Sequence, residues 1–102
     1  WAFNVITTGG AAKAYSPSGH NRFTIRQLLA PVDQTAYLCN MQYLPPFAIM
    51  GTHRLNTADI ELHAVQYEQL LVALHNDRIS EAEWKSVTYL NDLIPLPQSV
   101  MD

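Results

Sequence analysis

The sequence contains little cysteine, little positive charge and no long apolar run, and each shortage excludes a class of protein. The single cysteine, Cys39, cannot form an internal disulfide, which is typical of proteins from a reducing compartment. Six Lys and Arg residues against nine Asp and Glu form no basic stripe, so nucleic acid is not an expected partner. The longest apolar run, residues 70–74, is far too short to cross a bilayer. We therefore expect a cytoplasmic protein that is not embedded in a membrane.

The start and the composition of the chain indicate one small domain or part of one. No basic segment followed by an apolar one opens the sequence, so no secretory signal is predicted. The chain begins with Trp1 rather than Met, and we expect a fragment, a processed product or a chain with further residues upstream. Because 48% of the residues are hydrophobic and 15% are charged, the chain is expected to form a core rather than remain disordered.

The first ten residues contain the most informative local pattern. Residues 1–7 are rich in aromatic and β-branched side chains and lead to a Gly9-Gly10 pair, which predicts a buried strand of about six residues followed by a loop. Two glycines at the carboxyl end of a strand allow the backbone to turn sharply and to approach a flat ligand, since neither carries a Cβ. An ordinary strand-to-loop turn is the simpler explanation of a bare Gly-Gly pair.

A long loop and an interrupted helix are predicted next. Residues 11–23 are mostly small or turn-forming, and loops of this length are usually functional or mobile. Thr24 is expected to cap a short helical turn that ends at Leu29, and Pro31 to begin a new helix. Asn40 suits the left-handed position that ends a helix. One apolar face at helical spacing is predicted to be buried, with Cys39 as an inert core thiol: Ile25, Leu28, Leu29, Val32, Ala36 and Cys39.

A second strand and a long helix follow. Residues 41–50 form the second predicted strand, and the Pro45-Pro46 pair assigns it to a sheet edge because proline cannot donate a ladder hydrogen bond. Asn56 begins a capping-box pattern, which predicts a helix that ends at about His75. The buried face of this helix is predicted to contain Ile60, Ala64, Tyr67, Leu71 and Leu74.

The remaining residues complete an alternating order of strands and helices. Ser80 begins a further capping-box pattern and a helix to about Leu90, and the tail from Asp92 is expected to be extended. The order strand, loop, helix, strand, helix, helix predicts an α/β fold with parallel pairing. Two strands are too few for a stable parallel sheet, so we expect further strands upstream in the natural protein or from another copy.

Three histidines lie outside the predicted strands. His63 and Asp59 can share a helix face, but no third ligand follows at the spacing of a metal site, so no metal is expected. We therefore predict that His53, His63 and His75 lie on the surface.

Six groups of residues, in order and at similar spacing, resemble one family. They are Val5-Ile-Thr-Thr-Gly-Gly10, Tyr15, His20-Asn-Arg-Phe23, Leu28-Leu-Ala-Pro31, Cys39 and Tyr43-Leu-Pro-Pro-Phe47. From residue 1 to about residue 74 the sequence resembles the C-terminal half of the flavodoxin-like NAD(P)H:quinone oxidoreductases. Within that family it is most similar to the ancillary oxidoreductases of glutathione-gated potassium-efflux systems.

The resemblance implies a fold, a cofactor and a reaction. Members have a five-stranded parallel sheet with helices on both faces, in which residues 1–7 would be the fourth strand and residues 41–50 the edge strand. They are homodimers that carry FMN or FAD at the carboxyl end of the sheet, and they reduce quinones with NAD(P)H by two-electron hydride transfer. Residues 1–79 would be the C-terminal half of this domain, and residues 80–102 a helix and an extended tail beyond it.

The resemblance also assigns roles to the loop after the first strand. Thr7, Thr8, Gly9 and Gly10 resemble the loop that lies along the flavin ring. In that loop, the backbone N–H groups of the two glycines stabilise the negative charge left by hydride transfer. We name residues 7–10 the glycine loop.

Two further residues of the resemblance have catalytic roles. Tyr15 matches the tyrosine whose hydroxyl reaches the flavin C2 carbonyl. His20 matches a histidine that exchanges a proton as charge develops, a task that suits a group titrating near neutrality. The alternatives are a Tyr15 that only packs and a His20 that is only solvated.

Part of the family's flavin site has no counterpart in these residues. The loop that binds the flavin phosphate and a second loop that covers the ring belong to the other half of the family fold. We therefore expect that the 102 residues alone do not hold a flavin and that activity belongs to the parent protein. The alternative function is a regulatory subunit that docks on a potassium-efflux antiporter at the inner face of the cell membrane.

Overall fold

A computed structural model describes residues 1–98 of the chain. The strands are β1 (Val5–Thr7) and β2 (Phe47–Ile49), and the helices are α1 (Ile25–Leu28), α2 (Ala30–Leu38), α3 (Thr57–His75) and α4 (Glu81–Lys85). Single turns of 3-10 helix cover Ala12–Ala14, Thr52–Arg54 and Leu90–Leu93. The end of the predicted extended tail lies outside the described residues. Within residues 1–98, no helix combines the length and the apolar character needed to cross a membrane.

The two strands pair in parallel, as the sequence pattern predicts. Val5, Ile6 and Thr7 stand opposite Phe47, Ala48 and Ile49, and a separate parallel bridge joins Ala2 to Tyr43. Both strands are shorter than predicted, because Pro45 and Pro46 have no backbone N–H and interrupt the ladder between the bridge and the three regular pairs. The α/β class and the parallel pairing are confirmed.

The starts of the helices follow the local capping signals. Each capping residue accepts a hydrogen bond from the backbone N–H three residues on, whose side chain bonds back, in the pairs Thr24–Gln27, Asn56–Asp59 and Ser80–Glu83. Pro31 occupies the first turn of α2, and Asn40 has the predicted positive φ of 60°. Helix α4 ends at Lys85, five residues before its predicted end. Leu90 leaves the helical path because its N–H donates to the Pro46 carbonyl, while its side chain is buried.

The core lies between β2, α3 and the residues after α4. Its buried members are Leu44, Phe47, Leu70, Leu74 and Leu90. The predicted buried face of α3 is wrong at Ile60 and Leu71, which are 56% and 40% exposed, and Ala64 is also exposed. Gln66 is buried instead, because its side-chain amide donates to the carbonyls of Asn91 and Ile94. The buried face of α3 therefore includes Gln66, which contacts the chain after α4, and differs from the purely apolar face that was predicted.

The C-terminal segment, residues 80–98, covers the outer edge of β2. The Asn91 side chain acts as a neighbouring strand would: its Nδ2 donates to the Ala48 carbonyl at 2.8 Å, and its Oδ1 accepts from the Ala48 N–H at 2.9 Å. Trp84 and Leu93 of the same segment pack against the core. This edge is sealed without a third strand.

The outer side of β1 is open. Among residues 1–98, β1 has no second strand partner, and its Val5 is 46% exposed. On α2, Ala36 is buried while Val32 remains 41% exposed. The prediction that Cys39 is a core thiol is wrong: Cys39 is exposed. It lies just past the end of α2 and borders an open groove whose lining includes Ala2, Asn4, Val32 and Tyr43.

Candidate functional site

The glycine loop begins where β1 ends, and hydrogen bonds define its shape. The Thr8 N–H donates to the Ile49 carbonyl at 2.9 Å, so the loop starts beside the carboxyl end of β2. The Thr8 hydroxyl donates to the Gly10 carbonyl, also at 2.9 Å. This side chain closes a tight turn and orients the two glycine peptides.

A second loop, residues 51–54, is fastened to the first. The N–H of Gly51 donates to the Gly10 carbonyl at 2.9 Å, and the N–H of Thr52 donates to the Thr8 carbonyl at 3.1 Å. Gly51 has a φ of 67°, a left-handed conformation that favours glycine. The carboxyl ends of both parallel strands therefore meet in one hydrogen-bonded layer, which is the edge where α/β sheets bind ligands.

Gly9 and Gly10 leave room for neighbouring side chains, and their backbone conformations do not by themselves require glycine. Neither has a positive φ. A Cβ on Gly9 would lie 2.7 Å from Nε2 of His53, which is closer than atoms can pack. A Cβ on Gly10 would lie 3.4 Å from the Tyr15 ring and 3.5 Å from its hydroxyl oxygen. Each glycine thus has an aromatic ring against the side where a Cβ would project.

The peptide N–H groups of the two glycines are available as donors. Within residues 1–98, neither the Gly9 N–H nor the Gly10 N–H donates to a backbone or side-chain acceptor. Gly9 is exposed and Gly10 is half-buried. Two adjacent donors in a loop held by three backbone hydrogen bonds can bind a group that carries acceptors on one edge.

Tyr15 and His20 lie differently with respect to the glycine loop. Tyr15 is half-buried, directly after the Ala12–Ala14 turn, and its ring lies against Gly10. His20 is exposed, and within the described residues it forms no hydrogen bond. The loop that carries His20 is tied back by the Asn21 N–H, which donates to the Ala14 carbonyl at 3.0 Å. The structure therefore brings Tyr15, but not His20, against the glycine loop.

His53 was predicted only as a surface residue, with no role at this site. His53 is exposed, yet its imidazole lies against Gly9. A signal was present, since His53 follows β2 by four residues and Gly9 follows β1 by two. Loops at the carboxyl ends of adjacent parallel strands share one edge.

The other two histidines are remote from this edge in the chain. His75 is exposed at the end of α3, as predicted. His63 is half-buried, with Nδ1 at 3.4 Å from Oε1 of Gln66. Within residues 1–98, no group of three or more His, Cys, Asp or Glu side chains is arranged to hold a metal ion.

Comparison with known proteins identifies related sequences over the first two thirds of the chain. A family described as having a flavodoxin-like fold matches residues 1–71. The glutathione-regulated potassium-efflux system ancillary protein KefG of Cronobacter sakazakii is 36% identical over 67 residues. The protein of the same name from Serratia proteamaculans is 38% identical over 64 residues.

These relatives are longer than the matched region. The alignments cover 66% and 63% of this chain but only 36% and 35% of the two relatives, so the chain matches about a third of their length. A crystal structure described as a thermophilic tryptophan halogenase from Streptomycin violaceusniger superimposes with a TM-score of 0.61 at 25% identity. It covers 66% of this chain and 39% of its own.

Proposed function

The chain belongs to the family of the flavodoxin-like fold, and on that premise we propose that it forms the ring-binding part of a flavin-dependent oxidoreductase. The proposed reaction passes two electrons from NAD(P)H through FMN or FAD to a quinone. The similarity to two KefG ancillary proteins supports a role in redox chemistry linked to a potassium-efflux system. We propose that the whole protein acts in the cytoplasm.

The observation that carries this proposal is the pair of free N–H donors in the glycine loop. Gly9 and Gly10 offer them at the carboxyl end of β1, with the Tyr15 ring beside the second glycine. A flavin ring fits this donor set, because the pyrimidine edge of its isoalloxazine carries acceptor atoms. When bound, a flavin supplies two-electron hydride transfer. The two N–H groups would stabilise negative charge on that edge, as the donors of an oxyanion hole do.

The side chains around the loop have distinct proposed roles. The Thr8 hydroxyl orients the turn through the Gly10 carbonyl, and Thr7 continues the strand into it. We assign to Tyr15 a hydrogen bond from its hydroxyl to a ring carbonyl, since this hydroxyl lies beside Gly10. We assign to His20 the exchange of a proton as charge develops, for which its exposed position leaves it free to move.

Exposed apolar residues in and around α2 support a homodimer. Tyr37 and Leu38 at the end of α2 and Met41 after it are 74%, 72% and 44% exposed, and Leu28 at the end of α1 is 50% exposed. Contiguous exposed apolar residues mark interaction surfaces. Tyr37, Leu38 and Met41 also line a surface cavity of about 460 Å³. A second copy of the full protein is the occupant that we propose for this surface.

The central test measures flavin binding by the longest natural polypeptide that contains this chain. FMN and FAD are titrated separately and followed by quenching of flavin fluorescence, and NAD(P)H-dependent quinone reduction is assayed on the loaded protein. Gly9→Val keeps the backbone N–H, but its side chain would clash with the His53 ring and should move that donor out of place. Binding should weaken and turnover should fall by about 10²-fold, the typical effect of losing one preorganised donor. Ala64→Val, which introduces the same valine side chain at an exposed position of α3, is the control. Wild-type protein that binds neither flavin would refute the proposal.

The two side-chain roles require separate variants. His20→Ala should lower quinone reduction while the flavin remains bound, and Tyr15→Phe should weaken binding because it removes only the hydroxyl. Unchanged turnover in His20→Ala would remove His20 from the mechanism without affecting the role of the glycine loop.

A regulatory function is the second candidate, favoured by the relatives' description as ancillary proteins of a potassium-efflux system. In this case the protein would dock on the efflux antiporter at the inner face of the membrane, and redox activity would be secondary. A variant with strongly weakened flavin binding and turnover, such as Gly9→Val, distinguishes the two functions. Full restoration of potassium efflux by this variant in a deletion strain would favour docking, whereas loss of efflux would favour the redox function.

A further inference from the structure

We infer that His53 is a positioning residue of the flavin site, an assignment that rests on the proposed function. The imidazole lies against Gly9, where a Cβ would come within 2.7 Å of Nε2 and 3.0 Å of Cδ2. It therefore closes one side of the peptide whose N–H is a proposed flavin donor. Neither the sequence pattern nor the resemblance assigned a role to this residue.

The backbone around His53 is held in place from both sides. Gly51 and Thr52 donate to the carbonyls of Gly10 and Thr8, and the Arg54 N–H donates back to the Gly51 carbonyl at 3.0 Å. These bonds fix the origin of the His53 side chain relative to the glycine loop. The backbone is therefore fixed at a point from which the His53 side chain reaches Gly9.

The exposure of His53 argues against a purely structural role. The buried core residues lie on β2, α3 and the C-terminal segment, and the exposed His53 is not among them. Truncating an exposed side chain usually changes stability little. Gly9, however, has no positive φ, and the three atoms nearest to a Cβ at this position all belong to the His53 ring. We therefore explain the contact between this exposed imidazole and Gly9 by a role in which the imidazole positions the glycine loop.

The contact makes a prediction about coupling between two positions. Gly9→Ala forces the imidazole away from the loop, and His53→Ala removes the imidazole altogether. Each change alone should raise the dissociation constant for FMN about tenfold, the change that accompanies loss of one moderate contact. In the double variant the new methyl group meets no ring, so Gly9→Ala should add less than about twofold to the effect of His53→Ala.

The experiment is an FMN titration of the full natural polypeptide, repeated with FAD, for the wild type, the two single variants and the double variant. His53→Gln places a planar amide near the position of Nε2 and should recover most of the affinity. His75→Ala, at the exposed end of α3, is the control for loss of a histidine and should bind as the wild type does. Additive losses in the double variant, an unchanged affinity of Gly9→Ala, or failure of His53→Gln would each overturn the assignment.

A second measurement needs no flavin. The ring nitrogen resonances of His53 in the NMR spectrum should shift in Gly9→Ala and remain in place in Ala64→Val. Failure of the wild type to bind FMN or FAD would overturn the proposed function and this assignment with it. A wild type that binds flavin together with an unchanged dissociation constant for His53→Ala would overturn the assignment alone.

Discussion

The two sides of the small sheet are completed in opposite ways. Beyond β2, Leu90 is fully buried and the Asn91 side chain satisfies the backbone of Ala48. Beyond β1, the strand has no further partner within residues 1–98, and Val5 is 46% exposed. Leu38 of α2 is 72% exposed although it is chemically the same residue as Leu90. Hydrophobicity alone therefore does not decide burial here; the presence of a packing partner does.

The sealed side also depends on residues beyond the family match. The family match ends at residue 71. Leu90, Asn91 and Ile94, whose carbonyl accepts from Gln66, all lie beyond that point, after α4. The C-terminal segment thus contributes to the same core as β2 and α3. The division into residues 1–79 and 80–102 stays a prediction. It concerns resemblance to the family and not packing, since residues on both sides of it share one core.

Truncation of Leu90 should break the sealed side with the largest effect. Leu90→Ala leaves a cavity among Leu44, Phe47 and Leu70, which should lower the free energy of unfolding by about 2–5 kcal/mol. Chemical denaturation followed by circular dichroism measures this change. Leu38→Ala, at an exposed position of α2, is the matched control and should remain within about 0.5 kcal/mol. Equal losses at both positions would contradict the contrast between the two sides.

Removal of the Asn91 amide should have the next largest effect. Asn91→Ala leaves the N–H and the carbonyl of Ala48 without their partners, which should cost about 1–3 kcal/mol of unfolding free energy. Hydrogen exchange of the Ala48 amide should accelerate in the same variant. Asn76→Ala, at the exposed end of α3, controls for loss of an asparagine. A slow Ala48 amide in Asn91→Ala would mean that another group seals the edge.

Alkaline pH should have a smaller effect on stability, which acts through two tyrosines. Burial raises the pKa of Tyr43, the nearby Arg26 lowers it and Asp33 raises it, with an increase as the result. Burial, followed by the charge of Asp92, raises the pKa of Tyr89. Because both folded pKa values exceed the unfolded value of about 10, the stabilisation is complete below that pH and is lost as the pH rises through the folded values.

The measurement is the free energy of unfolding between pH 8 and pH 11, a range that brackets the unfolded tyrosine pKa of about 10. The wild-type value should be level to about pH 9 and decline above about pH 10. Tyr43→Phe tests the residue beside the open groove, and Tyr89→Phe tests the residue before Leu90. A decline of undiminished size in the double variant would assign the effect to other groups.

The smallest change is expected at Cys39. Cys39→Ser should leave the free energy of unfolding within about 0.5 kcal/mol of the wild type, because the thiol is exposed. A thiol reagent should label the native 102-residue chain about as fast as the unfolded chain. Strong protection of the native thiol would show that a partner surface covers the groove.

Local signals predicted much of the fold because they act within a few residues. The three capping boxes, the left-handed Asn40 and the parallel strands each follow from short sequence patterns. Helix α3 illustrates the limit of such patterns. Its periodicity predicted burial of Ile60 and Leu71, but both are exposed and Gln66 is buried. The periodicity could not predict this, because the carbonyls that accept from the Gln66 amide lie 25 and 28 residues away in the sequence.

The candidate site was likewise predicted in part from local patterns. Residues 7–10 and Tyr15 were found from a strand that ends at paired glycines and from a family resemblance. The contact of His53 with Gly9 joins residues 44 positions apart, and no local pattern contains it. The contact arises because two parallel strands end at the same edge.

By itself the sequence determined where helices begin, which segments become strands and where the chain turns, since these depend on backbone sterics and on capping hydrogen bonds between near neighbours. Only the tertiary structure decided that Leu90 is buried while Leu38 is exposed, that Asn91 completes a sheet edge and that an imidazole lies against Gly9. The physical reason is that burial and close approach are properties of pairs of surfaces. Either surface alone, read along the chain, does not specify its partner.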